Sequence, residues 1–191
     1  MHDRLANLLG ATALNVVDLV AEEQRSASDL GDSASAALLT LDEFPGLAVT
    51  TLGRYIGLSQ PAAARMVDGL VQRGLVERRT GQGRAVAVHL TAPGKRTVAR
   101  LLKDRKGVLG PLVEGLDAKE RVALEALLEK LLHAVYASTG RAERVPDDAL
   151  GELLCRLCDR AACIREGAAC PVTQAGKCAA TGTALEGSRH A

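Results

Sequence analysis

All five cysteines of the chain fall between Cys155 and Cys178. Their spacing is Cys155-x2-Cys158-x4-Cys163-x6-Cys170, with Cys178 following after seven intervening residues. Four sulfurs within a 16-residue window can converge on one centre. Thiolates bind metals, and four such charges come together only where a cation offsets them. Structural zinc sites usually show two paired CxxC knuckles. Here one pair is followed by two single cysteines, and Cys170 precedes Pro171, an ending closer to iron–sulfur loops. The leading expectation is therefore an iron–sulfur cluster, 4Fe–4S or 2Fe–2S, held by Cys155, Cys158, Cys163 and Cys170. Zinc is the alternative, and a metal-free thiol switch is the third. Cys178 is spare or replaces one of the four.

A second set of residues carries charge rather than sulfur. From Arg54 to Thr91 six basic side chains face two acidic ones, a net of +4, whereas Met1 to Gly53 has two against eight, a net of −6. The whole-chain value of +1 hides this division. A local excess of arginine suits a polyanion with grooves.

The elements that position these arginines follow from Thr50–Thr91. A short helix ends at Gly57, which can take the positive φ of a helix stop, and Ser59 is placed to cap the next helix. Pro61 sits in the first turn, where a missing N–H costs nothing. On that second helix Ala63, Met66, Val67, Leu70 and Val71 share one face, with Arg65 and Gln72 opposite. Gly74 ends it. Leu75–Arg79 and Arg84–Leu90 then read as strands around a Thr80-Gly81-Gln82-Gly83 tip, with Val86, Val88 and Leu90 alternating against their neighbours.

The text LGRYIGLSQPAAARMVDGLVQRGLVERR, an arginine-bearing wing and VAVHLTAPGK together resemble the winged helix-turn-helix of the MarR family of bacterial regulators. The resemblance spans about Leu41–Ser138. It implies a mainly α fold with a small β-wing, flanked by N- and C-terminal dimerisation helices. It also implies a homodimer on double-stranded DNA at a pseudo-palindromic site. The second helix would enter the major groove and the Thr80–Arg84 wing the minor groove. Residue by residue, Gln60 and Arg65 would touch bases or nearby phosphates and Arg84 the minor groove. Arg54, Arg78 and Arg79 would meet the backbone, with Ser59 and Thr80 at the same surface. Where the family wing carries Asp-x-Arg, this chain has Gln82-Gly83-Arg84. Pro61, Ala62 and Ala64 bring no hydroxyls to the recognition positions, so reading leans on Arg65, Gln60, methyl contacts or DNA shape.

The remaining chain frames this core. At 191 residues it suits one domain plus an appendage. Its only aromatics are Phe44, Tyr55 and Tyr136, so Ala, Leu and Val must do the packing. His2–Ser28 reads as a helix striped by Leu5, Leu8, Leu9, Thr12, Val16, Leu19 and Val20. Asp32–Phe44 reads as a second, capped by Asp32 or Ser33, with Ala36, Leu38, Leu39 and Leu41 inward. Thr91 caps a helix expected to run to about Val108, where Gly110-Pro111 interrupts it. Asp117-x-x-Glu120 opens the clearest helix, Asp117–Ser138, whose Leu124, Leu127, Leu128, Leu131, Leu132 and Val135 form an apolar seam. A small winged domain has little room to bury that seam, which points to a two-fold dimer.

The expected division is an N-terminal dimerisation helix over 1–31, the winged domain over 32–92 and C-terminal dimerisation helices over 93–140. A cysteine-rich metal-binding extension follows over 147–180. No run is expected to near the ~20 apolar residues of a membrane span, and no signal peptide is evident, so a cytoplasmic protein without membrane partners is expected. The histidines are scattered and no P-loop or dinucleotide fingerprint occurs, so no enzyme is expected. Two rivals stand beside a redox- or iron-responsive regulator. One is a regulator answering a small ligand, with a structural zinc tail. The other is a thiol or iron–sulfur redox protein that uses the winged domain for docking.

Overall fold

The computed structural model describes residues 3–27, 29–80, 86–138, 155–164 and 170–172. The elements run α1 (Asp3–Ala27), α2 (Asp32–Glu43), β1 (Leu47–Ala48), α3 (Val49–Ile56), α4 (Gln60–Gln72), β2 (Val76–Thr80), β3 (Val86–Leu90), α5 (Ala92–Glu114), α6 (Ala118–Ser138) and α7 (Arg160–Cys163). The chain is thus mainly helical, with one small antiparallel sheet of order β1-β3-β2.

The core forms where helix periodicity and strand alternation point their apolar residues at each other. Leu38 and Leu41 of α2, Leu52 of α3, Val67 and Leu70 of α4, Val76 and Val88 of the sheet, and Leu101 of α5 are all but fully buried. Burying such a side chain is worth about 1.5–3 kcal/mol. With one phenylalanine and two tyrosines in the chain, branched aliphatics carry this load.

Gly57 closes α3 at φ 76°, in the left-handed region, as its place before Leu58-Ser59 predicts. Thr91 caps α5. Its Oγ1 accepts the Gly94 N–H at 3.1 Å and donates to the Gly74 carbonyl at 2.6 Å, fixing the end of α4 to the start of α5. At Gly94 the helix touches the wing so closely that a Cβ would stand 2.0 Å from the Leu75 carbonyl oxygen. Asp117 and Glu120 form the full capping box: Asp117 Oδ1 accepts from the Lys119 and Glu120 amides at 2.7 and 2.9 Å, and Glu120 Oε2 accepts the Asp117 N–H at 2.8 Å.

Several expectations need correction. Ser59 does hold the N-cap position of α4, in extended conformation, but its side chain makes no cap bond. Gly31, not Asp32 or Ser33, is the N-cap of α2. Helix α5 runs through Pro111 to Glu114 rather than stopping near Val108. Proline forfeits one i→i−4 bond and crowds the carbonyl four residues back. That carbonyl belongs to Gly107, and Pro111 itself is exposed, so the ring has solvent to turn into. Val71 and Val86 lie outside the core, 36% and 45% exposed. Strand β1 has no signature in the sequence: two residues are too few for alternation to show, and they exist as a strand only because β3 pairs with them, Leu47 opposite Val88.

Helix α1 also departs from expectation. Its stretch Asp3–Arg25, 23 residues with hydropathy 1.3, is long and apolar enough to cross a membrane by length and composition. Its apolar residues extend beyond one stripe: Leu5, Leu14 and Val17 are 67%, 69% and 64% exposed, while Val20 is buried. The seam on α6 is open too, with Leu127, Leu128, Leu131, Leu132 and Val135 all exposed.

Candidate nucleic-acid interface and cysteine cluster

The exposed side of α4 is built by the burial of the other. Ala63, Val67 and Leu70 anchor the helix, which leaves Gln60 and Arg65 facing solvent from its first two turns. Ser59 is exposed just before them, and Arg54 is exposed in the last turn of α3. Sheet pairing sets the next row. Arg78 lies opposite Val88 and Thr80 opposite Val86, so the strand carrying Arg78, Arg79 and Thr80 is held at the sheet edge. Arg78 reaches back to α4, 2.7 Å from the Asp68 carboxylate. Arg79 is bonded through Nε to Glu77 at 2.8 Å. Arg54, Ser59, Gln60, Arg65, Arg78, Arg79 and Thr80 are thus all exposed on the two turn-linked helices and the wing strand. Arg84 and the rest of the wing tip, residues 81–85, lie outside the described residues. Arg73 is basic and close in sequence but is occupied elsewhere. Its guanidinium donates to the Asp29 carbonyl at 2.9 Å and ties the end of α4 to the segment before α2.

The cysteine segment meets the winged domain at the end of α2. Leu157 packs against the main core. Arg160 of α7 lies 3.3 Å from Glu43 and 5.4 Å from the centroid of the Phe44 ring, at the end of α2. Phe44 in turn meets Tyr55 of α3 edge-on, centroids 5.8 Å apart. Cys155 and Cys170 pack with Tyr136 of α6 and Val172 in a second small cluster. Sequence reasoning missed Phe44, Glu43 and Arg160 as partners, because they are far apart along the chain and no motif joins them.

The sulfurs feel one another. A hydrogen bond from Cys155 lowers the Cys158 thiol to about 6 from an ordinary 9.0, helped by the Arg105 and Arg156 charges against the burial that opposes it. Cys163 is pushed up by burial and by the neighbouring Cys158 and Cys170. None of the four is in a disulfide. Thiols are the donor type that a thiophilic metal takes. The set is not closed, since among the described residues no group of three or more His, Cys, Asp or Glu side chains is arranged to hold an ion. Cys178 lies outside the described residues.

A helix-turn-helix with an arginine on its exposed helix, followed by a three-stranded wing and flanked by long helices, is a winged-helix regulator fold. Residues 28–85 match the MarR family, and the chain carries a MarR-family domain. A MarR family protein from Bacillus stearothermophilus is 26% identical, with a TM-score of 0.61 over 67% of this chain and 90% of its own. MepR, a transcription regulator of the Staphylococcus aureus multidrug efflux pump MepA, shares the fold at 17% identity and TM-score 0.61, over 68% of this chain and 97% of its own. The transcriptional repressor CouR, bound to p-coumaroyl-CoA, is 27% identical at TM-score 0.51, over 71% of this chain and 92% of its own.

Proposed function

We propose that the protein is a cytoplasmic, non-enzymatic transcriptional regulator that binds duplex DNA as a homodimer. The observation that carries this reading is the placement of Arg65 and Gln60 on the solvent side of α4, with Arg54, Arg78, Arg79 and Thr80 exposed around them. Gln60 and Arg65 reach base edges or nearby phosphates in the major groove, Arg54, Arg78 and Arg79 grip phosphates, and Arg84 enters the minor groove. The open apolar faces of α1 and α6 support a second copy as partner: a solvated surface does not keep so many leucines without cause. Two-fold pairing sets two α4 helices about one DNA turn apart, matching a pseudo-palindromic site.

We further propose that the extension is the sensor, redox- or iron-responsive through an iron–sulfur centre on Cys155, Cys158, Cys163 and Cys170, with zinc as the alternative metal. Spacing and the mutual influence of the four thiols support it. A second reading, a small organic ligand as the signal, is favoured by the repressor relative that binds p-coumaroyl-CoA. It leaves the cysteines a structural role.

Shift assays on random duplex DNA over a salt series test the first half. Binding should weaken steeply as salt rises, with Arg84→Ala weaker than the parent; a salt-insensitive or absent shift overturns it. Visible absorption with iron, sulfide and zinc counts on protein purified without oxygen tests the second.

A further inference from the structure

Pleating sends Arg78 of β2 toward Asp68 of α4, so Arg79 emerges from the other face of the sheet. The register sets Glu77 opposite His89, which puts His89 on that same face. Arg79 and His89 there border a cleft of about 210 Å³, between the end of α2 and the start of α5. Its base is apolar, made by Leu41 and Leu90, both buried, with Pro45 beside them. Asp42 and Lys95 complete the lining.

The walls are held by bonds of their own. The Gly46 amide donates to the Val88 carbonyl at 3.0 Å and pins the turn after α2 to β3. Gly46 has φ 85° and no side chain, and the His89 ring lies so near that a Cβ there would stand 3.0 Å from its Cε1. Thr91 fixes the start of α5 through its bond to the Gly74 carbonyl. The charge on these walls is uneven. Arg79 gives Nε and Nη2 to one Glu77 oxygen, which leaves Nη1 for another acceptor. Among the described residues Lys95 and His89 form no ion pair. An imidazole keeps an N–H donor whether or not it is charged.

We infer that this cleft binds a small organic anion, a carboxylate or phosphate ester of a short hydroxylated carbon chain. The guanidinium fork and the ammonium suit carboxylate or phosphate oxygens. Asp42 accepts from a hydroxyl, and the leucines meet the carbon chain. Sites for drug-sized ligands start near ~300 Å³, so the occupant is smaller than those. The inference gives the small-ligand reading a place and a chemistry, and its regulatory consequence rests on that reading. Arg79 is also proposed to grip a DNA phosphate. One guanidinium cannot serve both anions, so bound ligand and bound DNA oppose each other, each by the same factor.

The test uses the full chain and calorimetry in a chloride buffer, with glycerol 3-phosphate and malate as probes and inorganic phosphate as control. At least one organic probe should bind once per chain, more tightly than inorganic phosphate. Lys95→Gln and His89→Gln should each weaken that binding about tenfold, the loss of one charge-assisted hydrogen bond, with Tm and probe-free DNA affinity unchanged. A saturating probe should lower the parent's DNA affinity about fivefold or more. Binding of glycerol 3-phosphate alone assigns a phosphate ester, and of malate alone a carboxylate. If neither probe binds better than inorganic phosphate, or if both variants bind as the parent does, the cleft is not the site. Binding at the cleft with DNA affinity unaltered overturns the competition at Arg79. Calorimetry needs no DNA, so a chain that takes the probe but never shifts a duplex sinks the DNA reading and leaves the cleft standing.

Discussion

The Arg78 guanidinium stands 2.7 Å from the Asp68 carboxylate and so joins the first long wing strand to the exposed side of α4. The pair is half-exposed, and its worth to stability is at most about 1 kcal/mol. Its consequence is orientation, since it holds a cation beside the helix proposed to read DNA. Arg78→Ala should therefore weaken binding equally across DNA sequences and lower the salt-dependence slope by about one. Thermal melting should hardly change. A loss confined to particular sequences would place Arg78 on bases instead.

Dimer assembly is open to a direct test on α6. Leu128 and Leu131 are 48% and 39% exposed on its apolar seam. A glutamate at either position is solvated in a lone chain but puts an unpaired charge into a two-fold interface. Leu128→Glu and Leu131→Glu should sediment as monomers with helical content intact and lose DNA affinity. Dimers of unchanged stability would move the interface elsewhere.

Thr91 offers a test of local construction. Its hydroxyl accepts the Gly94 amide and donates to the Gly74 carbonyl. Thr91→Val keeps the shape and removes these bonds together with a longer one to the Leu75 carbonyl at 3.1 Å, which should cost about 1–2 kcal/mol and lower Tm by a few degrees. Chemical denaturation curves would measure it. An unaltered midpoint would show that packing at Gly94 alone seats α5.

In the metal-free chain the thiols should separate by pH. The hydrogen bond from Cys155 sets Cys158 at about 6, below the ordinary 9.0, so at neutral pH it is mostly thiolate. Cys163 is shifted the other way by burial and by Cys158 and Cys170. Because the thiolate is the nucleophile, iodoacetamide at pH 7 should modify Cys158 well before Cys163. The Cys158 rate should fall as pH drops through 6, and peptide mass spectrometry reads both sites. Equal rates would show that Cys155 does not assist.

The parts of this fold that are legible in the sequence are those written in neighbouring residues. The Asp117–Glu120 box, the Gly57 turn and the Thr91 cap each depend on a few consecutive positions, and each stands as read. The α4 face is legible through periodicity, except at Val71, which lies at the stripe's edge where the core ends. Strand β1 is not, because only its distant partner makes it a strand. Among site residues, Arg65 and Gln60 can be placed from helical phase alone. The docking of Arg160 on Phe44 cannot, since it joins opposite ends of the chain and uses residue types found anywhere on a surface.

Gly94 leaves no side chain between α5 and the Leu75 carbonyl. Helix and wing therefore meet backbone to backbone at this joint, with no room for a Cβ. A side chain at this joint would force α5 off the strand and change the angle at which the wing leaves the long helix.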